Sequence, residues 1–202
     1  MSGTDSRSGP SAPRKRADAR RNEATLLDAA AAAFVASGVH APVRDIAARA
    51  GVGLGTIYRH FPTRADLIVA VYRHQVEACA EAGPALLATC STPHAALARW
   101  INLFVDFLVT KHGLAEALQS DAAAFETLHA YFLDRLVPAC ARLLDAAAAA
   151  GEIRPERESF FQNRFRAVSV AFLHAGATDV HPAIWILRIG FRGFLKGSIG
   201  AA

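Results

Sequence analysis

The sequence predicts an all-α fold, and three observations carry that prediction. No stretch alternates apolar and polar residues long enough to make a half-buried strand. Apolar residues recur instead at three- and four-residue steps, and Ala, Leu and Arg dominate the chain. At 202 residues with 52% apolar content, the chain can fill a small N-terminal head and one larger helical body.

Taken in order, residues 1–13 are rich in Ser, Gly and Pro and are expected to form a disordered tail. Arg14, Lys15, Arg16, Arg20 and Arg21 follow as a basic cluster. Two readings fit it: an arm reaching into a DNA minor groove, or a solvated run that adds only non-specific attraction. The first helix is expected over about residues 20–37, with Leu27, Ala30 and Phe34 inward and Ser37-Gly38 at its end. Its run from Ala29 to Ala36 faintly imitates an export signal, but Asp28 touches the run and a helix-end pair closes it.

The segment Val43 to Leu67, VRDIAARAGVGLGTIYRHFPTRADL, is the most specific in the chain. Val43, Ile46, Ala47 and Ala50 form the apolar face of a two-turn helix, and Gly51 can end it in a left-handed conformation at no steric cost. Leu54, Ile57, Tyr58 and Phe61 resume the period after a three-residue turn. Two helices this short cross steeply, and small Ala47 lets their backbones approach. That is a helix-turn-helix, whose second helix can enter a DNA major groove. Arg44, Arg59 and Arg64 lie within it, as a phosphate-lined groove demands. The charge follows the same division. Lys and Arg outnumber Asp and Glu eleven to six over residues 1–75, but stand at eleven against twelve over residues 76–202.

Roles within the segment follow from reach. Gly55 and Thr56 occupy the first turn of the recognition helix, where backbone N–H groups and a hydroxyl can hold a phosphate. Arg59 is placed to read a guanine edge with its fork. Arg44, early in the preceding helix, is expected to grip phosphate and is also within range of a base, and Arg64 is expected to grip phosphate. Phe34 and Phe61 read as core.

Thr63 with Asp66 has the form of a capping box, opening a helix that Gly83-Pro84 is expected to end or kink. Thr92-Pro93 opens another, expected to reach His112-Gly113, with Trp100, Phe104, Phe107 and Leu108 as its stripe. A long helix over roughly residues 123–150 carries Phe125, Leu128, Phe132, Leu136, Cys140 and Leu143, and Gly151 closes it. Aromatic stripes of this kind serve as core. Asn102, Gln119, His129 and Tyr131 accompany them, however, and an apolar cavity with a few convergent polar groups is how small-molecule sites are built. The last third holds Phe160, Phe161, Phe165, Val168, Phe172, Trp185, Ile189 and Phe194, more aromatic surface than one helix pair buries, which implies a partner face.

From Leu26 to Leu67 the chain resembles the TetR family of transcriptional regulators, through LLDAAAAAF, Gly38, DIAARAGV and GTIYRHF. The motif is long, gapless and fixed in spacing. Two positions depart from it: hydroxyl residues that commonly open the two helices are here Pro42 and Gly53. The resemblance implies an N-terminal three-helix DNA-binding domain, set here at residues 14–62, and a C-terminal effector-binding and dimerisation domain at residues 63–202. It adds Tyr58 and His60 as contacts to the DNA backbone, against readings of Tyr58 as a half-buried core ring and His60 as a solvated helix end. It implies a small-molecule effector among the middle helices, with Trp100, Asn102, Phe104, Phe107, Gln119, Phe125, His129 and Phe132 as candidate lining. It also implies a homodimer paired through Phe161, Phe165, Val168, Phe172, Trp185 and Ile189. The function expected is a ligand-responsive regulator, a repressor that binds a palindromic operator as a homodimer and is released by a small apolar effector. The alternative is a helical small-molecule-binding or interaction module whose head lacks specific DNA binding.

Other classes find little support. No apolar run reaches the roughly 18 residues needed to span a bilayer, so no membrane partner is expected. Cys79, Cys90 and Cys140 are odd in number and widely spaced, which suits free thiols in a cytoplasmic protein. Eight histidines include no HExxH pair and none paired to Cys at metal-ligand spacing; His40, His74, His94, His112, His174 and His181 read as surface or loop. No Gly-x-Ser-x-Gly elbow occurs, and Gly51-x-Gly53-x-Gly55 follows no strand. No cofactor, metal or catalytic residue is expected.

Overall fold

A computed structural model describes residues 12–110 and 122–153. The regular structure of those residues is helical throughout. In order it comprises α1 (Ala12–Ser37), α2 (Val43–Ala50), α3 (Leu54–His60), α4 (Arg64–Thr89), α5 (Pro93–Thr110) and α6 (Ala122–Ala149). The expected helix end near His112-Gly113 and the whole segment from residue 154 onward, with Phe161, Phe165, Val168, Phe172, Trp185 and Ile189, lie outside the described residues.

Helix α1 begins earlier than the sequence reading placed it. Pro13 is tolerated in a first turn, and the run from Arg14 to Arg21 is dominated by good helix formers. Arg14, Lys15 and Arg16 therefore ride on the first turns of this helix. Leu26, Leu27, Ala30 and Phe34 are buried along its inner face.

The turn between α2 and α3 is a Schellman ending. Gly51 sits at φ 68°, its N–H donates to the Ala48 carbonyl, and the Val52 N–H donates to the Ala47 carbonyl at 3.0 Å. A side chain at Gly51 would be strained whatever the space around it. Pro42 stands one residue before the first helical residue and caps α2 only through its carbonyl, which accepts from Asp45 and Ile46. Gly53 likewise opens α3 with no side-chain cap.

The expected capping box at α4 is formed. The Thr63 hydroxyl accepts from the Asp66 N–H at 3.1 Å, and the Asp66 carboxylate accepts from the Thr63 N–H at 2.9 Å. Donation from the Thr63 side chain and backbone holds the Asp66 carboxyl below its ordinary range. Gly83-Pro84 does not end α4, which runs on to Thr89. Pro84 lies on the exposed side, where the missing N–H is least costly. Gly83 is buried, with Leu143 and Trp100 of the neighbouring helices within 4 Å of where its Cβ would sit. Helix α4 packs against α1, α5 and α6, so it closes the head and forms the spine of the body at once.

Thr92 caps α5 through Ala95, and the Glu152 carboxylate, just past the Gly151 turn that ends α6, accepts from the His94 N–H at 2.6 Å. All three cysteines are free thiols. Burial pushes Cys79 up to about 12 and Cys140 higher still, whereas Cys90 is only half-buried beside Arg99. A thiol titration at pH 8 should find one reactive group, Cys90, in native protein and three after denaturation. Immediate reaction of all three would contradict the packing of α4 against α6.

Candidate nucleic-acid interface

The outward face of the head is assembled from α1, α2 and α3. Ile57 and Phe61 anchor α3 inward, at 1% and 6% exposure, so the residues between them turn outward. Gly55, Tyr58, Arg59 and His60 are exposed and Thr56 is half-buried, its N–H closing the first turn on the Gly53 carbonyl at 2.9 Å. Tyr58 is 51% exposed, which rules out the half-buried core ring. Leu54, expected on the apolar face, is 44% exposed and packs no core. Within this seven-residue helix Ile57 alone is buried, and Phe61, the residue that caps it, supplies the second inward anchor.

Arg44 projects from the first turn of α2 with its Nε 3.4 Å from the Asp45 carboxylate. A surface pair of this kind is worth little and leaves the guanidinium free to turn toward phosphate. Arg21 pairs with Asp18 along the exposed side of α1. A groove of about 420 Å³ separates α1 from α3, lined by Asn22, Thr25, Gly51, Val52, Thr56 and His60. Arg64 departs from the phosphate contact expected of it. Its Nε donates to the Val39 carbonyl at 2.9 Å and its Nη2 to the Ala41 carbonyl. The fork thus ties the first turn of α4 to the loop between α1 and α2.

Behind the head, four of the expected effector residues converge. The Phe107 and Phe132 rings lie 6.0 Å apart, Phe104 lies 6.1 Å from Phe132, and Trp100 stacks on Phe104 at 5.7 Å. His129 is buried on the same face of α6. Tyr72 of α4 joins this cluster 5.5 Å from Phe107, and burial pushes its hydroxyl far above the usual phenol range. Sequence reading missed it, though its position four residues after buried Ile68 was a helical-period signal. Asn102 does not join: it is exposed on the opposite side of α5. Tyr131 is also diverted. Its hydroxyl donates to the Glu77 carboxylate, which Arg135 also grips, and the Arg73 guanidinium lies 5.1 Å over its ring. Gln119 lies outside the described residues, as does the side chain of Phe125. His74, expected as a surface residue, reaches back from α4 to the Asp28 carboxylate of α1 at 2.7 Å.

Comparison with known proteins extends this geometry. The family described as bacterial regulatory proteins of the tetR family matches residues 26–71. A second, described as the C-terminal domain of SbtR-like transcriptional regulators, matches residues 92–159. A TetR transcriptional regulator from Streptomyces coelicolor is 33% identical, with 85% of this chain and 97% of that one covered at a TM-score of 0.64. The chain belongs to the TetR family. A TetR regulatory protein from Mycobacterium vanbaalenii is 30% identical, covering 89% of this chain and 98% of that one, also at a TM-score of 0.64. A TetR-family regulator from a Rhodococcus species, 20% identical at a TM-score of 0.52, shares the fold. No curated protein matches. This TetR-family chain is thus a transcriptional regulator with a helix-turn-helix head and a helical C-terminal body, a DNA-binding factor rather than an enzyme. Among the described residues no helix is long and apolar enough to cross a membrane.

Proposed function

We propose that this regulator represses transcription by binding a palindromic operator as a homodimer, and that a small apolar effector releases it. The outward presentation of Tyr58 and Arg59, with Ile57 and Phe61 held in the core, carries the reading. Arg59 reads a base edge; Arg21, Arg44, Thr56, Tyr58 and His60 hold the backbone on either side, and bare Gly55 lets it approach. Dimerisation uses the aromatic-rich stretch with Phe161, Phe165, Val168, Phe172, Trp185 and Ile189. A two-fold pair then presents its recognition helices to successive major-groove turns, roughly 34–36 Å apart.

Release runs through α4. The helix is fixed to the head by Arg64 and by His74–Asp28, and to α6 by Glu77 with Tyr131 and Arg135. An effector lodged among Trp100, Phe104, Phe107, His129 and Phe132 displaces Tyr72 and hence α4. A coupling of about 1–3 kcal/mol suffices to shift operator occupancy appreciably.

Selection from randomised duplex DNA at physiological salt tests the reading. An enriched inverted repeat supports it, and placing that repeat over a promoter should silence a reporter. No enrichment by a folded, ligand-free dimer would leave a small-molecule-binding module without specific DNA recognition. On the selected operator, Arg59→Ala should cost about 1–3 kcal/mol and relax preference at one base pair per half-site. An equal loss on every sequence would move Arg59 from base reading to backbone contact.

A further inference from the structure

The recognition helix opens with three consecutive residues that nothing inside the protein explains. Leu54 is 44% exposed, and the glycines on either side have no atom within 4 Å of where a Cβ would sit. Gly53 lies at φ −76°, which any residue adopts, so the backbone does not demand glycine there. Gly55 in a helical first turn costs stability relative to Ala. Neither glycine serves core packing, and the effect of both is to leave Leu54 as a lone apolar knob between two bare stretches of backbone. Tyr58, one turn on, extends the same exposed face, and exposed Arg59 follows it on the same helix. Of the four large apolar side chains exposed among the described residues, two therefore stand on this one short helix.

A major groove offers a single apolar group to such a knob: the C5-methyl of thymine. We propose that Leu54 is a specificity-determining residue of this regulator, reading a thymine methyl in each operator half-site. The proposal rests on the operator reading above and adds to it the identity of one base. Leucine has no donor or acceptor, so it favours thymine by burying the methyl. It disfavours cytosine at the same place because that base has no methyl for the side chain to bury. The bare Gly53 and Gly55 backbone lets the helix end approach closely enough for that contact.

The test uses the operator obtained by selection with the full-length protein. Each thymine is replaced in turn by deoxyuridine, which removes only the methyl, and binding is measured for wild type and Leu54→Ala. One thymine per half-site should weaken wild-type binding about fourfold when demethylated, the loss expected for one buried methyl. Leu54→Ala should be insensitive to that same replacement while keeping wild-type sensitivity elsewhere. Because Leu54 packs no core, the variant should melt with the wild type, and that melt is the control for folding. Demethylation that is neutral at every thymine, or a loss that persists in Leu54→Ala, overturns the proposal and leaves the operator reading standing. Failure to enrich any operator overturns both.

Discussion

Replacing Trp100 with alanine should cost about 3–5 kcal/mol of folding stability, a large share of the roughly 5–15 kcal/mol that holds a domain together. The side chain is fully buried between three helices. Its ring stacks on Phe104 at 5.7 Å, and its Nε1 donates to the Cys79 carbonyl at 2.7 Å, so it fills space in α5 and bonds to α4. Its Cδ1 also lies 3.9 Å from where a Cβ of Gly83 would sit. Trp100→Phe keeps much of the volume and loses the hydrogen bond, so it should fall between the two. Urea denaturation of the three proteins gives the order. A Trp100→Ala variant within about 1 kcal/mol of wild type would mean that the α4–α5 seam is looser than described.

The second large effect belongs to Arg64. Its guanidinium satisfies the Val39 and Ala41 carbonyls from the first turn of α4, and Arg64→Ala leaves both without that donor. Bonds of this charge-assisted kind are worth about 1.5–3 kcal/mol, and the loop they hold sets where α2 and α3 sit relative to α4. Arg64→Ala should therefore lower stability by about 2–3 kcal/mol and weaken binding to all DNA sequences alike. Arg64→Lys should not rescue it, since one ammonium cannot span two carbonyls as a planar fork does. A phosphate contact would also give a uniform loss, and salt separates the two. Losing a phosphate contact flattens the dependence of log K on log salt by about one, whereas losing the internal tie leaves the slope unchanged. A flattened slope would return Arg64 to the DNA.

These residues also mark how far the sequence was legible. The α2–turn–α3 unit could be read because Gly51 must take a left-handed backbone there, and because Ile46, Ala47, Ile57 and Phe61 keep their period across the turn. The Thr63–Asp66 box and the Gly151 stop were legible for the same local reason. Side-chain destinations set by partners distant in sequence were not legible. Arg64 lies 25 residues from Val39, and Tyr131 lies 54 from Glu77. Leu54 and Asn102 failed differently: periodicity says which residues share a helix face, not how wide a stripe the neighbouring elements cover. Local rules see at Gly83-Pro84 only the missing N–H and so predict an end or a kink, whereas the helix runs on to Thr89 with Pro84 exposed and Gly83 buried near Trp100 and Leu143.

Among the described residues the buried side chains form one connected cluster from Leu26 to Ile153, with Leu67, Ile68, Val71 and Tyr72 bridging head and body. Calorimetry should accordingly record one melting transition, with matching calorimetric and van't Hoff enthalpies, rather than separate melting of two domains. A piece cut after Pro62 would lack the apolar side chains that close the head, and would be expected to lose its recognition helix as it lost its fold. In such a molecule, stabilising the body by any means also protects the head from unfolding. An effector that releases DNA is then expected to raise the melting temperature of the whole chain while lowering its affinity for the operator.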